Sequence, residues 1–100
     1  MIMNMKRHNN PQDKKLYDKW RRTVRKRDGY KCQWSFCNCR TDLETHHILE
    51  WSNFPHLRYN VNNGITLCKI HHKMIKGKEV SYAPIFNKIV LEKIKNAKPK

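Results

Sequence analysis

The spacing of hydrophobic residues predicts an amphipathic helix near the start of the chain. Over residues 12–28, Leu16, Trp20 and Val24 recur every fourth position, which places them on one face of an α-helix. The positions between them are mostly Lys and Arg. Gly29 is suited to end the helix, because glycine readily adopts the left-handed conformation found there.

A second amphipathic helix is predicted over residues 84–96, where Pro84 would open it. Its apolar residues fall on one face, which is most simply explained by packing against a core. These residues are Ile85, Phe86, Ile89, Val90 and Ile94.

Shorter elements are predicted between the two helices. Residues 43–48 alternate weakly and favour a strand, residues 50–59 favour an irregular loop, and residues 65–67 favour a second strand entered by a turn. Residues 69–76 favour a short helix ending at Gly77. The pattern as a whole predicts a small α+β domain with a basic helix before it and an amphipathic helix after it.

Composition limits the size and the partners of this domain. The chain has 100 residues, which predicts one domain over residues 11–97 after a flexible basic tail at residues 1–10. No apolar run is long enough to cross a membrane, and the N-terminus has no secretory signal, so we expect a cytoplasmic protein. Twenty-two Lys and Arg against eight Asp and Glu give a net charge of +14. Such an excess favours a nucleic acid as partner.

The first helix is the main candidate for contact with phosphates. Its basic residues outnumber the acids that could pair with them along the helix, although a cationic helix face is often merely solvated. The residues predicted to bind nucleic acid here are Arg21, Arg22, Arg25 and Lys26. In the loop, Arg58 either reaches a phosphate or pairs with Glu50, and we slightly favour the phosphate.

The cysteines predict a metal site. Disulfides are rare in a reducing compartment, and a pair of thiols followed later by Cys68-x-x-His71 is typical of a zinc knuckle. Cys37 and Cys39 compete to partner Cys32, and Cys37 is favoured because it closes the tighter loop. The alternative is that these residues are ordinary buried cysteines.

Two pairs of adjacent histidines suggest a division of roles. Neighbouring residues on a strand point to opposite sides, so His46 and His47 are badly placed to bind one ion together. His71 and His72 on a helix also face different neighbours, and one could complete the zinc site while the other faces a reaction centre. Asn63 could fix the loop between the strands or form a hydrogen bond with a histidine.

The order of these motifs resembles the HNH endonucleases, especially small phage-type enzymes, over roughly residues 20–80. The motifs are Tyr30-x-Cys32, the stretch at residues 43–48, the stretch at residues 63–68, and the pair His71-His72. The resemblance implies a ββα-metal fold, also called the His-Me finger, and hydrolysis of DNA phosphodiester bonds. Histidine suits a general base, because its ordinary pKa lies near neutral pH.

The resemblance also implies a role for each site residue. His47 would be the general base, and His46 and His72 would bind the catalytic divalent ion, which could be Mg²⁺, Mn²⁺ or another transition metal. Asn63 would be the central Asn of the motif, ordering the loop or assisting the metal. A structural zinc would be held by Cys32, Cys37, Cys68 and His71.

The sequence departs from the family at three positions. Lys76 stands where some members have a further metal-binding His, so either the ion keeps more water or Lys76 contacts phosphate. The first cysteine pair is more widely spaced, and His71 replaces a common Cys.

A single catalytic site bears on the partners that the protein would need. One general base cuts one strand at a time, so cutting both strands of DNA would take a homodimer, successive nicks or a larger phage partner protein. If the chain is phage-encoded, the compartment would be the host cytoplasm. The alternative function is a non-catalytic, zinc-stapled nucleic-acid-binding module.

Overall fold

The computed structural model describes residues 11–96 and has three helices and one antiparallel hairpin. The elements in chain order are α1 (Pro11–Arg27), β1 (Leu43–His47), β2 (Gly64–Cys68), α2 (Lys69–Met74) and α3 (Glu79–Asn96). This arrangement confirms the predicted α+β class with helices on both sides of a short hairpin. The predicted tail at residues 1–10 and the last residue of the predicted domain lie outside the described residues.

The hairpin carries one histidine pair, His46-His47, and leads directly into the helix that carries the other. β1 and β2 pair in the register Leu43 to Cys68, Thr45 to Thr66 and His47 to Gly64. Every residue of β2 is buried, and α2 starts directly after it. The strand therefore forms the centre of the domain, and α2 leaves it at Cys68 with no intervening loop.

Helix α3 packs its apolar face against the hairpin. Phe86 and Val90 of α3 are almost fully buried and belong to the same cluster as Ile65 and Leu67 of β2 and Ile75 after α2. This packing confirms the predicted apolar face for Phe86, Ile89 and Val90, whereas Ile85 and Ile94, predicted on the same face, are exposed. No helix among residues 11–96 combines the length and the apolar character needed to cross a membrane.

The start predicted for α3 is wrong by five residues, because the helix begins at Glu79 and contains Pro84. A proline lacks the N–H that would bond to the carbonyl four residues earlier. Here that carbonyl belongs to Val80, which is 88% exposed, so the oxygen lies in a solvent-accessible turn. The proline is therefore accommodated close to the helix start.

Helix α1 lies directly against β2 at Gly64. A Cβ atom on Gly64 would come within 2.7 Å of Cζ2 of Trp20 and 2.7 Å of Cγ2 of Val24. Only glycine leaves room for this close approach. Because Gly64 pairs with His47, the approach also brings the indole of Trp20 over His47.

A buried ion pair fixes the end of α1 to β2. The Asp28 carboxylate accepts hydrogen bonds from the Arg27 guanidinium at 2.8 and 3.0 Å and from the Thr66 N–H at 2.9 Å. Arg27 also donates to the carbonyls of Val61 at 2.9 Å and Gly64 at 2.7 Å. Asp28 is 1% exposed, so this network is shielded from solvent and holds the helix in place.

Candidate active site

Four potential metal ligands converge where β2 meets α2. The donor atoms of Cys32, Cys37, Cys68 and His71 all lie within 4.8 Å of one another. Nδ1 of His71 is 3.4 Å from Sγ of Cys68 and 3.6 Å from Sγ of Cys32. Ligands about 2.3 Å from a tetrahedral ion would stand roughly 3.8 Å apart, so this cluster fits such an ion.

The loop before β1 delivers two of these ligands. The Cys32 N–H donates to the Cys39 carbonyl at 2.9 Å, which closes the loop, and the tip residue Phe36 has a positive φ of 64°. Cys37 faces the cluster, whereas Sγ of Cys39 lies 3.4 Å from the Thr41 carbonyl. The geometry thus selects Cys37, the residue favoured by the sequence. Burial raises the pKa of the Cys32 thiol to about 11.

Trp34 from the same loop covers His71, the one histidine of the cluster. Its ring is stacked on His71 with centroids 4.5 Å apart and planes 3° from parallel. The ring of Trp34 also packs edge-on against the ring of Phe86 in α3, with the two ring centroids 6.5 Å apart. The cysteine cluster is therefore joined to the core on its apolar side.

His46 lies on the face of β1 that meets α2 and α3. Its ring centroid is 5.2 Å from that of His72 and 5.7 Å from that of Phe86. His46 is 7% exposed, and in the described part of the chain its buried Nε2 has no hydrogen-bond partner. An unsatisfied buried nitrogen is costly unless a ligand occupies it.

Burial also controls the charge of His46. Desolvation lowers its pKa to about 4, and the neighbouring His72 adds to the decrease. The ring is therefore neutral at pH 7 and carries a lone pair. A neutral imidazole is the form that binds metal ions.

His72 is held by a carboxylate that sequence analysis missed. Nδ1 of His72 is hydrogen-bonded to the Glu44 carboxylate. Because a carboxylate can only accept, Nδ1 carries the proton and the lone pair of the neutral ring is on Nε2. Glu44 is two residues before His46 and so shares a face of β1 with it, a signal that the sequence did contain.

His47 faces α1, on the other side of the hairpin from His46. Its ring stacks on Trp20 with centroids 3.9 Å apart and planes 12° from parallel. Nε2 lies 2.9 Å from the Arg58 carbonyl and must donate to it, so the lone pair of the neutral ring is on Nδ1. The predicted division between His46 and His47 is thus seen in their contacts.

Asn63 holds the loop that supplies this carbonyl. Its Oδ1 accepts from the Leu49 N–H at 2.8 Å, and its Nδ2 donates to the carbonyls of Leu49 at 3.0 Å and Leu57 at 3.3 Å. The Asn63 carbonyl accepts from the Ile48 N–H at 3.0 Å. Of its two predicted contacts, with the loop or with a histidine, these bonds are with the loop.

The three histidines of interest border one open cleft of about 350 Å³. His46 and His47 come from β1, His72 from α2, Lys76 from the segment after α2, and Glu79 from the start of α3. His71 is the exception, since it belongs to the cysteine cluster. The helix therefore separates His71 from His72 as its period predicts.

The two groups of ligands differ in number. Among residues 11–96, only the cysteine cluster brings three or more His, Cys, Asp or Glu donors within bonding range of a single ion. His46 and His72 form a pair without a third close donor. Any ion held there would have several positions open to water or substrate.

The predicted nucleic-acid contacts of α1 need one revision. Arg22 and Lys26 are exposed, as a binding surface requires. Arg25 instead donates to Oγ1 of Thr45 at 3.0 Å and to the Leu43 carbonyl at 3.0 Å. Its guanidinium is used to attach α1 to β1, a role that a helix pattern cannot reveal.

The remaining predicted cations have mixed positions. Arg58 donates from Nε to the Trp51 carbonyl at 2.8 Å and lies 4.6 Å above the Trp51 ring, without the ion pair to Glu50 that was the alternative. Nη2 of Arg21 lies 3.6 Å from Oδ1 of Asp18, so this cation forms an ion pair within α1. Lys76 is exposed at the rim of the cleft, which suits the predicted phosphate contact.

Comparisons with protein-family models, curated proteins and solved structures found no match to this chain.

Proposed function

We propose that this chain is a metal-dependent endonuclease of the HNH type that hydrolyses DNA phosphodiester bonds. The observation that carries the proposal is that His46 and His47 line the same cleft with different roles available to them. His47 has its tautomer fixed by the Arg58 carbonyl, and His46 presents a buried nitrogen that lacks a partner. A base next to a vacant ligand atom is what water-dependent cleavage of a phosphodiester requires.

His46 and His72 would hold the catalytic ion through their Nε2 atoms. Both fit this role, since Nε2 of His46 has no hydrogen-bond partner among residues 11–96 and Glu44 directs the lone pair of His72 to Nε2. When bound, a divalent ion would neutralise charge on the phosphate and on the departing oxygen. Mg²⁺ prefers oxygen ligands, so a site with two imidazole nitrogens would also accept Mn²⁺ or another transition metal.

His47 would act as the general base through Nδ1. The nitrogen takes a proton from a water molecule as the water oxygen attacks phosphorus, the bond from phosphorus to O3′ breaks, and the departing O3′ takes a proton from solvent water. The products carry a 5′-phosphate and a 3′-hydroxyl, as in the family that the sequence resembles. The Arg58 carbonyl, which accepts from Nε2, stabilises the positive charge that the ring gains.

The cysteine cluster would hold a structural zinc. Three thiolates and one imidazole are the soft donors that zinc prefers, and four protein ligands leave no position for substrate. The ion would tie the loop around Cys37 to the start of α2. His72 follows His71 directly, so this site would also fix one ligand of the catalytic ion.

The test is nicking of supercoiled plasmid in Mg²⁺ and in Mn²⁺ by the wild type and by His47→Ala. We expect the wild type to nick and His47→Ala to lose roughly 10²–10⁴-fold in rate, as for other general bases. His56→Ala is the matched control, because His56 is exposed and does not border the cleft. Zinc content and circular dichroism establish that His47→Ala is folded. A folded wild type that cuts in no metal would overturn the proposal.

One observation favours a second function, a non-catalytic zinc-stapled nucleic-acid-binding module. Only the cysteine cluster gathers a full set of ligands among the described residues. Metal stoichiometry separates the two functions. One tight zinc alone favours the binding module, whereas one tight zinc with one exchangeable ion favours the nuclease.

A further inference from the structure

The exposed side of α2 carries a row of three lysines. Lys69, Lys73 and Lys76 are spaced four and three residues apart, which places them on one face of a helix. Lys76 follows the last helical residue, but its N–H still donates to the Lys73 carbonyl at 3.2 Å, so the row continues through the turn. All three side chains are exposed.

The opposite side of α2 is fixed to the rest of the domain. His71 belongs to the cysteine cluster, and Ile75 is fully buried. The helix therefore cannot rotate to hide the lysines, and they always face outward. A row of cations on a fixed helix is a preorganised electrostatic surface.

The row leads into the cleft. A shallow depression of about 210 Å³ is lined by Glu44, His72 and the three lysines. His72 and Lys76 line both this depression and the larger cleft that contains His46 and His47. The two hollows therefore form one continuous surface that runs from the histidines along α2.

The Glu79 carboxylate interacts electrostatically with Lys76, but no carboxylate of the described residues forms a salt bridge with the three lysines of this row. None of them takes part in an ion pair within residues 11–96, and the one carboxylate of the depression, Glu44, is bonded to His72. On α1, by contrast, Lys14 and Arg21 share Asp18, and Arg25 is bonded to β1. Among the described residues, the lysine row therefore places positive charge without a salt bridge directly beside His72.

We infer that the lysine row on α2 binds the phosphates of one nucleic-acid strand next to the bond that is cut. From Lys69 to Lys76 the helical rise gives a row of about 10 Å. At roughly 3.4 Å of axial rise per phosphate, that length covers about three phosphates of one strand. This inference rests on the proposed function and names the path by which its substrate enters the cleft.

The test is the salt dependence of DNA binding by the zinc-loaded protein in buffer without added divalent ions. The double variant Lys69→Ala/Lys73→Ala should lower the slope of log affinity against log salt by about 1.8, because each lost phosphate contact with duplex DNA removes about 0.9. Each contact is worth roughly eightfold at 0.1 M salt, so the affinity should fall by about 60-fold. Lys69→Arg/Lys73→Arg should keep both values.

Two matched double variants give the comparison. Lys88→Ala/Lys95→Ala removes the same charge from exposed positions of α3 and should leave the slope within about 0.5 of the wild type. Arg22→Ala/Lys26→Ala removes two exposed cations of α1. If the α1 variant loses the slope and the α2 variant keeps it, or if all three double variants lose it equally, the inference is wrong.

Cleavage assays keep this inference separate from the nuclease proposal. If the variant Lys69→Ala/Lys73→Ala loses DNA affinity but the wild type never cuts, the inference about the lysine row stands and the nuclease proposal is wrong. If the wild type cuts plasmid but the variant has the same salt slope as the wild type, the nuclease proposal stands and the inference about the lysine row is wrong. A wild type that does not bind DNA at all would overturn both.

Discussion

The cysteine cluster and the histidine cleft are built on the same hairpin, yet they have opposite designs. The cluster collects four soft donors around one point and is joined to the core by Trp34. The cleft offers two imidazole nitrogens, an oriented third histidine and open space. A closed set of ligands suits an ion that holds structure, and an incomplete set suits an ion that meets substrate.

Local backbone geometry accounts for the separation. His46 and His47 are neighbours on β1 and contact α2 and α1 respectively. His71 and His72 are neighbours on α2 and contact the cysteine cluster and His46 respectively. Adjacent histidines thus serve different sites because strand and helix periods send their side chains in different directions.

Removal of the cluster ion should have the largest effect. Cys68→Ser, or chelation of the wild type, is expected to abolish cooperative folding, because binding energy at a structural zinc site is largely folding energy, on the order of 10 kcal/mol. Thermal unfolding followed by circular dichroism measures the loss. Cys39→Ser is the control, since Cys39 lies outside the cluster. Equal unfolding curves for wild type and Cys68→Ser would contradict the structural role.

Removal of a cleft ligand should affect activity and leave the fold intact. His72→Ala is expected to lose at least about 100-fold in nicking rate, because a catalytic ion contributes several kcal/mol to the transition state. Its zinc content and melting temperature should stay close to those of the wild type. If His72→Ala loses its zinc, the cysteine cluster depends on the histidine cleft, and this prediction is contradicted.

A change at Gly64 should disturb the cleft from the α1 side. Gly64→Ala would place a methyl group 2.7 Å from Trp20 and from Val24, and overpacking of this kind costs about 1–3 kcal/mol of unfolding free energy. The shift of Trp20 should also lower the nicking rate through His47. Urea unfolding and nicking assays measure both effects. A neutral result would mean that α1 is not closely packed on β2.

Loss of the carboxylate behind His72 should have the smallest effect. Glu44→Gln keeps the shape of the side chain but weakens the bond that orients His72, and loss of such a partner typically lowers metal affinity by about 10–100-fold. Titration of Mn²⁺ against nicking rate gives the apparent affinity. The maximal rate at saturating Mn²⁺ should change much less. An unchanged Mn²⁺ requirement would remove Glu44 from the account.

The sequence was sufficient to predict the elements that have regular periods. The two strands and the two long helices follow from the residue pattern, and spacing favours Cys37 over Cys39 in the cluster that the structure shows. Four-residue steps define a helix face, and ligand spacing defines a metal loop, without knowledge of the tertiary fold.

Contacts between distant segments were not predicted, because no local period encodes them. Arg25 carries the same charge as its neighbours on α1, and only the position of β1 shows that it donates to the sheet. The Arg58 carbonyl that orients His47 is a backbone atom, which sequence analysis cannot distinguish from any other. The sequence predicts that Pro84 opens α3, because proline suits a first helical position, but the helix starts at Glu79.

The most direct measurement is nicking of supercoiled plasmid in Mn²⁺ by wild type and His46→Ala, with zinc quantified in both preparations. The account predicts one zinc per chain in each, Mn²⁺-dependent nicking by the wild type, and loss of nicking by His46→Ala. If zinc-loaded His46→Ala nicks as fast as the wild type, the buried nitrogen of His46 is not a ligand of a catalytic ion, and the central claim is contradicted.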